Sequence, residues 1–135
     1  MIRPCFLVVD REFPGTISTR KLVIETAKIN VITAYSGAEA IETLQRFPAV
    51  NGIVMDAGVS DIHLDDLIRQ LKKLDKSLPI VVIETPGFQS SGEADHHLEF
   101  FDPIRLLTLL RKLVPEQTAE IDAHEDDLSR DRSTS

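Results

Sequence analysis

Gly52-Ile53-Val54-Met55-Asp56 is an apolar run that stops on a carboxylate. It is short and apolar on both faces, as a strand buried inside a parallel sheet is. Similar runs lie at Cys5–Val9, Val31–Ala34 and Ile80–Ile83, with a weaker fifth at Leu98–Phe101. Their ends fall near Asp10, Ala34, Asp56, Glu84 and Phe101, in steps of 24, 22, 28 and 17 residues. Each step accommodates a helix and short loops, so the chain reads as five β-α repeats. Right-handed crossovers then put helices on both faces of one parallel sheet.

The clearest helix spans Asp61–Leu74, with Asp61 as its expected N-cap. Leu64, Leu67, Ile68, Leu71 and Leu74 recur at three- and four-residue steps, while Arg69, Lys72 and Lys73 face away. An earlier helix opens at Ser36, where Ser36 and Glu39 make a capping box and Ala38, Ile41 and Leu44 the buried stripe. The last helix runs from Pro103 to Val114, with Asp102 as N-cap and proline at its first position. Leu106, Leu107, Leu110, Leu113 and Val114 are placed toward the sheet and Leu109 off the stripe. The first helix is expected over Thr16–Lys28, after the turn signal Phe13-Pro14-Gly15. The fourth falls within Phe88–His97, where Ser90-Ser91-Gly92 are weak helix formers.

These 135 residues suit one domain, with a folded body over residues 1–114 and an acidic, disordered tail over 115–135. The net charge is −7, and the tail carries −5 of it. The body has no cationic stripe, which counts against a nucleic-acid partner. Cys5 is the one cysteine, so no internal disulfide forms, and it reads as a small core residue. No apolar run nears the ~20 residues of a membrane span, and none resembles a signal peptide, so the expected location is the cytoplasm.

Ligands of open α/β sheets bind outside the carboxyl ends of the strands. There the sequence places Asp10-Arg11-Glu12, Asp56-Ala57-Gly58 and Glu84-Thr85, so acids from three strands share one edge. A carboxylate at that position serves as a metal ligand or a nucleophile toward phosphorus, or else it caps the following loop. His96 and His97 are adjacent on a strand and point to opposite faces, which makes a poor metal site. Asp65-Asp66 suit a solvated helix face. No Gly-rich phosphate loop or nucleophile elbow is present, and no enzymatic activity is expected.

In order and spacing, five segments resemble the receiver domain of two-component response regulators. They are Phe6-Leu7-Val8-Val9-Asp10, Ala34-Tyr35-Ser36-Gly37-Ala38-Glu39-Ala40, Gly52-Ile53-Val54-Met55-Asp56, Leu78-Pro79-Ile80-Val81-Val82-Ile83, and the stretch framed by Ala94-Asp95 and Asp102-Pro103. The resemblance covers roughly Ile2 to Val114. It implies a flavodoxin-like doubly wound fold, with a five-stranded parallel sheet in order 2-1-3-4-5. It also implies a signalling role in a phosphorelay, with Asp56 as phosphoacceptor for a histidine kinase or phosphotransfer protein. The family holds Mg2+ with two adjacent acids after the first strand, the phosphoacceptor and a main-chain carbonyl. Here Asp10, Asp56 and the Gly58 carbonyl match those ligands, and Glu12 is a further acid nearby.

The chain departs from the family at several positions. Arg11 stands where the second acid belongs, which counts against magnesium. Glu84 replaces the family's hydroxyl residue, with Thr85 one position later. The family's Lys-Pro is absent, and His97 falls where a switching aromatic is common. Ser60 and Leu64 replace the usual Pro and Gly. We therefore expect an atypical receiver, with Arg11 beside Asp10 and Asp56 as a built-in cation; the alternative leaves Arg11 in solvent. Output is expected through protein contact or homodimerisation on the face of the fourth helix, fifth strand and fifth helix, where Phe88, Phe100 and Leu109 supply apolar surface. The alternatives are a phosphorylation-independent interaction module and, less favoured, a small-molecule binder in the strand-end cleft.

Overall fold

The computed structural model describes residues 3–11, 18–84, 92–99 and 102–114. The strands are β1 (Cys5–Val9), β2 (Asn30–Ala34), β3 (Gly52–Asp56), β4 (Ile80–Ile83) and β5 (His96–Leu98). All pairs are parallel, and the order is β2-β1-β3-β4-β5. The described helices are α1 (Thr19–Thr26), α2 (Gly37–Arg46), α3 (Leu64–Leu74) and α4 (Pro103–Leu113). The expected architecture and strand order are those observed.

Strand alternation sends side chains of the central strands into two cores. Leu7, Val9, Ile53, Met55, Ile80 and Val82 pack on the face covered by Ala40 and Leu44 of α2 and Leu67, Ile68 and Leu71 of α3. Phe6, Val8, Val54 and Ile83 pack on the other, with Ile24 of α1 and Leu106 and Leu110 of α4. Gly52 leaves room for one of these residues: a Cβ there would lie 2.6 Å from the Phe6 ring. Both faces being covered is why β3 reads as unbroken apolar sequence rather than as an alternating one.

Several expected boundaries change. The fifth strand is His96–Leu98, two residues ahead of the expected Leu98 start, and Gly92–Asp95 are not helical, so the fourth helix does not reach into that stretch. The rest of that expectation, residues 88–91, lies outside the described residues, as does the tail at 115–135. The first helix is shorter than the expected Thr16–Lys28: Ser18 is its N-cap, so it starts at Thr19 and ends at Thr26. Asp61 does not cap α3, whose N-cap is His63 with no side-chain cap bond. Its carboxylate instead accepts the N–H of Gly37 at 2.7 Å and of Ala38 at 3.0 Å, at the start of α2. A helix N-terminus carries partial positive charge and unsatisfied N–H groups, and Gly37 has no side chain to hold the acid away. Partial burial raises the Asp61 pKa, but four backbone N–H groups outweigh it and hold the carboxyl below the usual range. The other caps are as expected: Ser36 accepts from Glu39 N at 3.0 Å, and Asp102 accepts from Ile104 N at 3.0 Å.

Candidate functional site

The carboxyl edge of the sheet brings Asp10 and Asp56 together between β1 and β3. Asp10 follows β1 and is anchored by its N–H to the Ala34 carbonyl at 2.9 Å. Asp56 is the last residue of β3. Both carboxylates are fully buried. Two such charges in a site of low dielectric cost several kcal/mol each unless a cation and hydrogen bonds compensate them.

The compensating cation is Arg20, in the first turn of α1. Its Nη2 lies 2.6 Å from Asp56 Oδ2, and its Nη1 lies 3.3 Å from Asp10 Oδ1 and 3.4 Å from Oδ2. The Arg20–Asp56 contact is an ion pair whose angle departs from a hydrogen bond's. The Arg20 side chain is 12% exposed. Ser18 sets its position: the hydroxyl donates to Asp10 Oδ2 at 2.6 Å and accepts the N–H of Lys21 at 3.3 Å, capping α1 against the acid. One serine thus fixes where the helix starts and so where Arg20 reaches.

Arg11 is the outer cation and not the principal one. Its Nε is 3.8 Å from Asp56 Oδ2, and its side chain is 45% exposed. The closer pairing of Asp56 belongs to Arg20, a residue that the sequence reading missed. That reading began the first helix at Thr16, which put Arg20 in a second turn. The usable signal was Ser18 three residues before Lys21, a cap spacing that turns the next residues toward the strand ends. Arg11 also donates its backbone N–H to Asp10 Oδ1 at 2.8 Å, and Gly58 donates its N–H to Asp56 Oδ1 at 2.6 Å. Gly58 must be glycine for close approach, since a Cβ would lie 2.8 Å from Arg11 Cδ and 2.9 Å from Asp56 Oδ1.

Every carboxylate oxygen of the pair therefore faces an N–H, a hydroxyl or a guanidinium. The Arg20 guanidinium lies against both carboxylates and already offsets their charge, so a divalent cation does not fit beside it. Among the described residues no group of three or more His, Cys, Asp or Glu is arranged to hold a metal ion.

The flank of the same edge is built differently. Glu84 follows β4, and its backbone N–H donates to the Leu98 carbonyl at 2.7 Å. Its Oε1 lies 2.7 Å from Nδ1 of His97 on β5. Both side chains are partly exposed, at 25% and 35%. Glu12 and Thr85, the other expected site residues, lie outside the described residues, as do Phe88 and Phe100. Leu109 is half-buried, and the exposed apolar residue of α4 is Ile104 at 78%.

No family model and no curated protein sequence matches this chain. Solved structures do match. A response regulator receiver domain protein from Clostridium thermocellum superposes with TM-score 0.74 at 16% identity, over 86% of this chain and 98% of the other. A CheY-like receiver domain from Methanospirillum hungatei gives 0.73 at 19%, over 88% and 99%.

The fold is that of response-regulator receiver domains.

A third similar structure sharpens the contrast. The receiver domain of a sensor histidine kinase from Pseudomonas aeruginosa superposes with TM-score 0.71 at 14% identity, over 85% of this chain and 100% of that one. That protein has a magnesium ion coordinated in its active-site cleft. On the receiver fold of this chain, Asp10 and Asp56 face the guanidinium of Arg20.

Proposed function

We propose that this chain is a signalling module on the receiver fold that acts by protein contact, in a state set by Arg20 rather than by phosphorylation of Asp56. The Arg20–Asp56 ion pair at 2.6 Å, over a fully buried carboxylate, carries the reading. For a carboxylate to attack phosphorus, a lone pair must be open and a cation must offset the like charge of the phosphoryl group. Arg20 and the Gly58 N–H already occupy Asp56, and freeing it would leave a buried charge uncompensated. The module has no catalytic role of its own and needs no cofactor in this reading.

Its output face is α4 with β5, where Ile104 offers exposed apolar surface to a protein partner or a second copy. Among the described residues no helix is long and apolar enough to cross a membrane, and we place the module in the cytoplasm. No observation among the described residues specifically favours the small-molecule reading. A hollow of about 350 Å3 lined by Cys5, Ile32, Phe47 and Val50 lies where β1 begins, away from the acidic pair.

The test is incubation with acetyl phosphate and MgCl2 followed by intact mass. The wild-type protein is expected to remain unmodified. A phosphoryl adduct that disappears in Asp56→Ala would establish the rival reading, in which Asp56 receives a phosphoryl group from a histidine kinase or phosphotransfer protein.

A further inference from the structure

We infer that Arg20 is an internal substitute for a divalent cation, and that removing it turns the Asp10–Asp56 pair into a divalent-cation site. This rests on the reading of the pocket given above and adds a property of the same site. Asp10 and Asp56 together carry two negative charges with no exposed surface. Arg20 contacts both, at 3.3 and 2.6 Å, and Arg11 adds a second positive charge at 3.8 Å from Asp56. The two arginines thus bring the charge that one divalent ion would bring, but as fixed groups of the chain.

Arg20 carries more of this role than Arg11. Its side chain is 12% exposed and contacts both acids, whereas Arg11 is 45% exposed and stands 3.8 Å from Asp56. Truncating Arg20 removes the guanidinium that the two buried carboxylates share. Hard divalent ions bind such a pair through one or two carboxylates and their own waters.

The experiment compares MgCl2 and MnCl2 with NaCl at matched ionic strength, on wild type, Arg20→Ala and Arg20→Gln. Wild type is expected to show no saturable heat on titration calorimetry and the same melting midpoint in all three salts. Arg20→Ala is expected to melt lower, and to regain a few degrees in MgCl2 or MnCl2 but not in NaCl. Acquiring fold only on addition of the divalent salt is the same result in stronger form. Arg20→Gln keeps N–H donors toward the acids, and is expected to fold more readily and show a smaller gain of the same sign. Saturable binding to wild type in the millimolar range or tighter would overturn the inference, whether or not the variants fold. A folded Arg20→Ala that ignores divalent ions would overturn it too, while leaving the proposed phosphorylation-independent function intact. A phosphoryl adduct on wild type has the opposite meaning, since it defeats that reading first.

Discussion

At β1 and β3 the carboxyl edge of the sheet ends in Asp10 and Asp56, which have no exposed surface and share the guanidinium of Arg20. Beside that pair lie Glu84, just past β4, and His97, within β5, which are joined by a 2.7 Å contact and partly open to solvent. Residue types are similar in the two places, but the dielectric is not. In the centre a lost partner leaves a charge that water cannot reach, and on the flank water replaces the partner at little cost.

Removing Arg20 breaks the comparison most severely. Arg20→Ala is expected to lower unfolding free energy by about 3–5 kcal/mol in a denaturant melt, because two buried carboxylates lose their cation. A loss under ~1 kcal/mol would place the centre in the same class as the flank.

Helix capping gives the next effect. Asp61→Ala deletes the acid that accepts from Gly37 and Ala38. It is expected to cost about 1 kcal/mol, read as lost helical signal and a lower midpoint. This effect depends on pH with a defined sign. The Asp61 carboxyl titrates below its ordinary value, so its contribution is present above that value and is lost as pH falls through the folded one. Asp95 behaves alike: burial raises its pKa, but the Lys72 ammonium at 2.6 Å and the Ile80 N–H outweigh it. On the acid limb of a pH–stability curve, Asp61→Ala and Asp95→Ala are each expected to show a shallower fall than wild type. An unchanged slope would contradict the assigned partners.

The flank comes third. His97→Ala is expected to change stability by no more than about 1 kcal/mol, since Glu84 is partly hydrated. Arg11→Ala is the smallest, within about 0.5 kcal/mol, because its guanidinium is 45% exposed and 3.8 Å away. The gap between Arg11→Ala and Arg20→Ala sharpens the comparison within the pocket itself, and equal losses would mean the two arginines share the charge evenly.

The parts of the fold legible in the sequence were those written in local pattern. Gly52–Asp56 and Ile80–Ile83 announce buried strands through apolar residues alone, and Ser36-Glu39 and Asp102-Pro103 announce helix starts through capping chemistry. The acids of the site were legible as well, because each ends such a run. Two features were not. Asp61 sits just before a helix and reads as its cap, but it serves α2, which lies 23 and 24 residues earlier at the bonded N–H groups. Arg20 lies ten residues beyond Asp10 and reaches it only because Ser18 fixes the start of α1. Both depend on one element approaching another, and spacing along the chain does not encode that distance. Arg11 was preferred because it stands where the family's second acid belongs, and a position at a strand end says little about where a long side chain goes.

A double-mutant cycle between Arg20 and Asp56, with Arg20→Gln, Asp56→Asn and the double variant compared by urea unfolding, measures the pairing on which the whole reading depends. A coupling of about 1.5 kcal/mol or more is predicted, with the double variant more stable than Arg20→Gln alone. A coupling below about 0.5 kcal/mol would mean that Asp56 does not depend on Arg20, and the account of a built-in cation would be wrong.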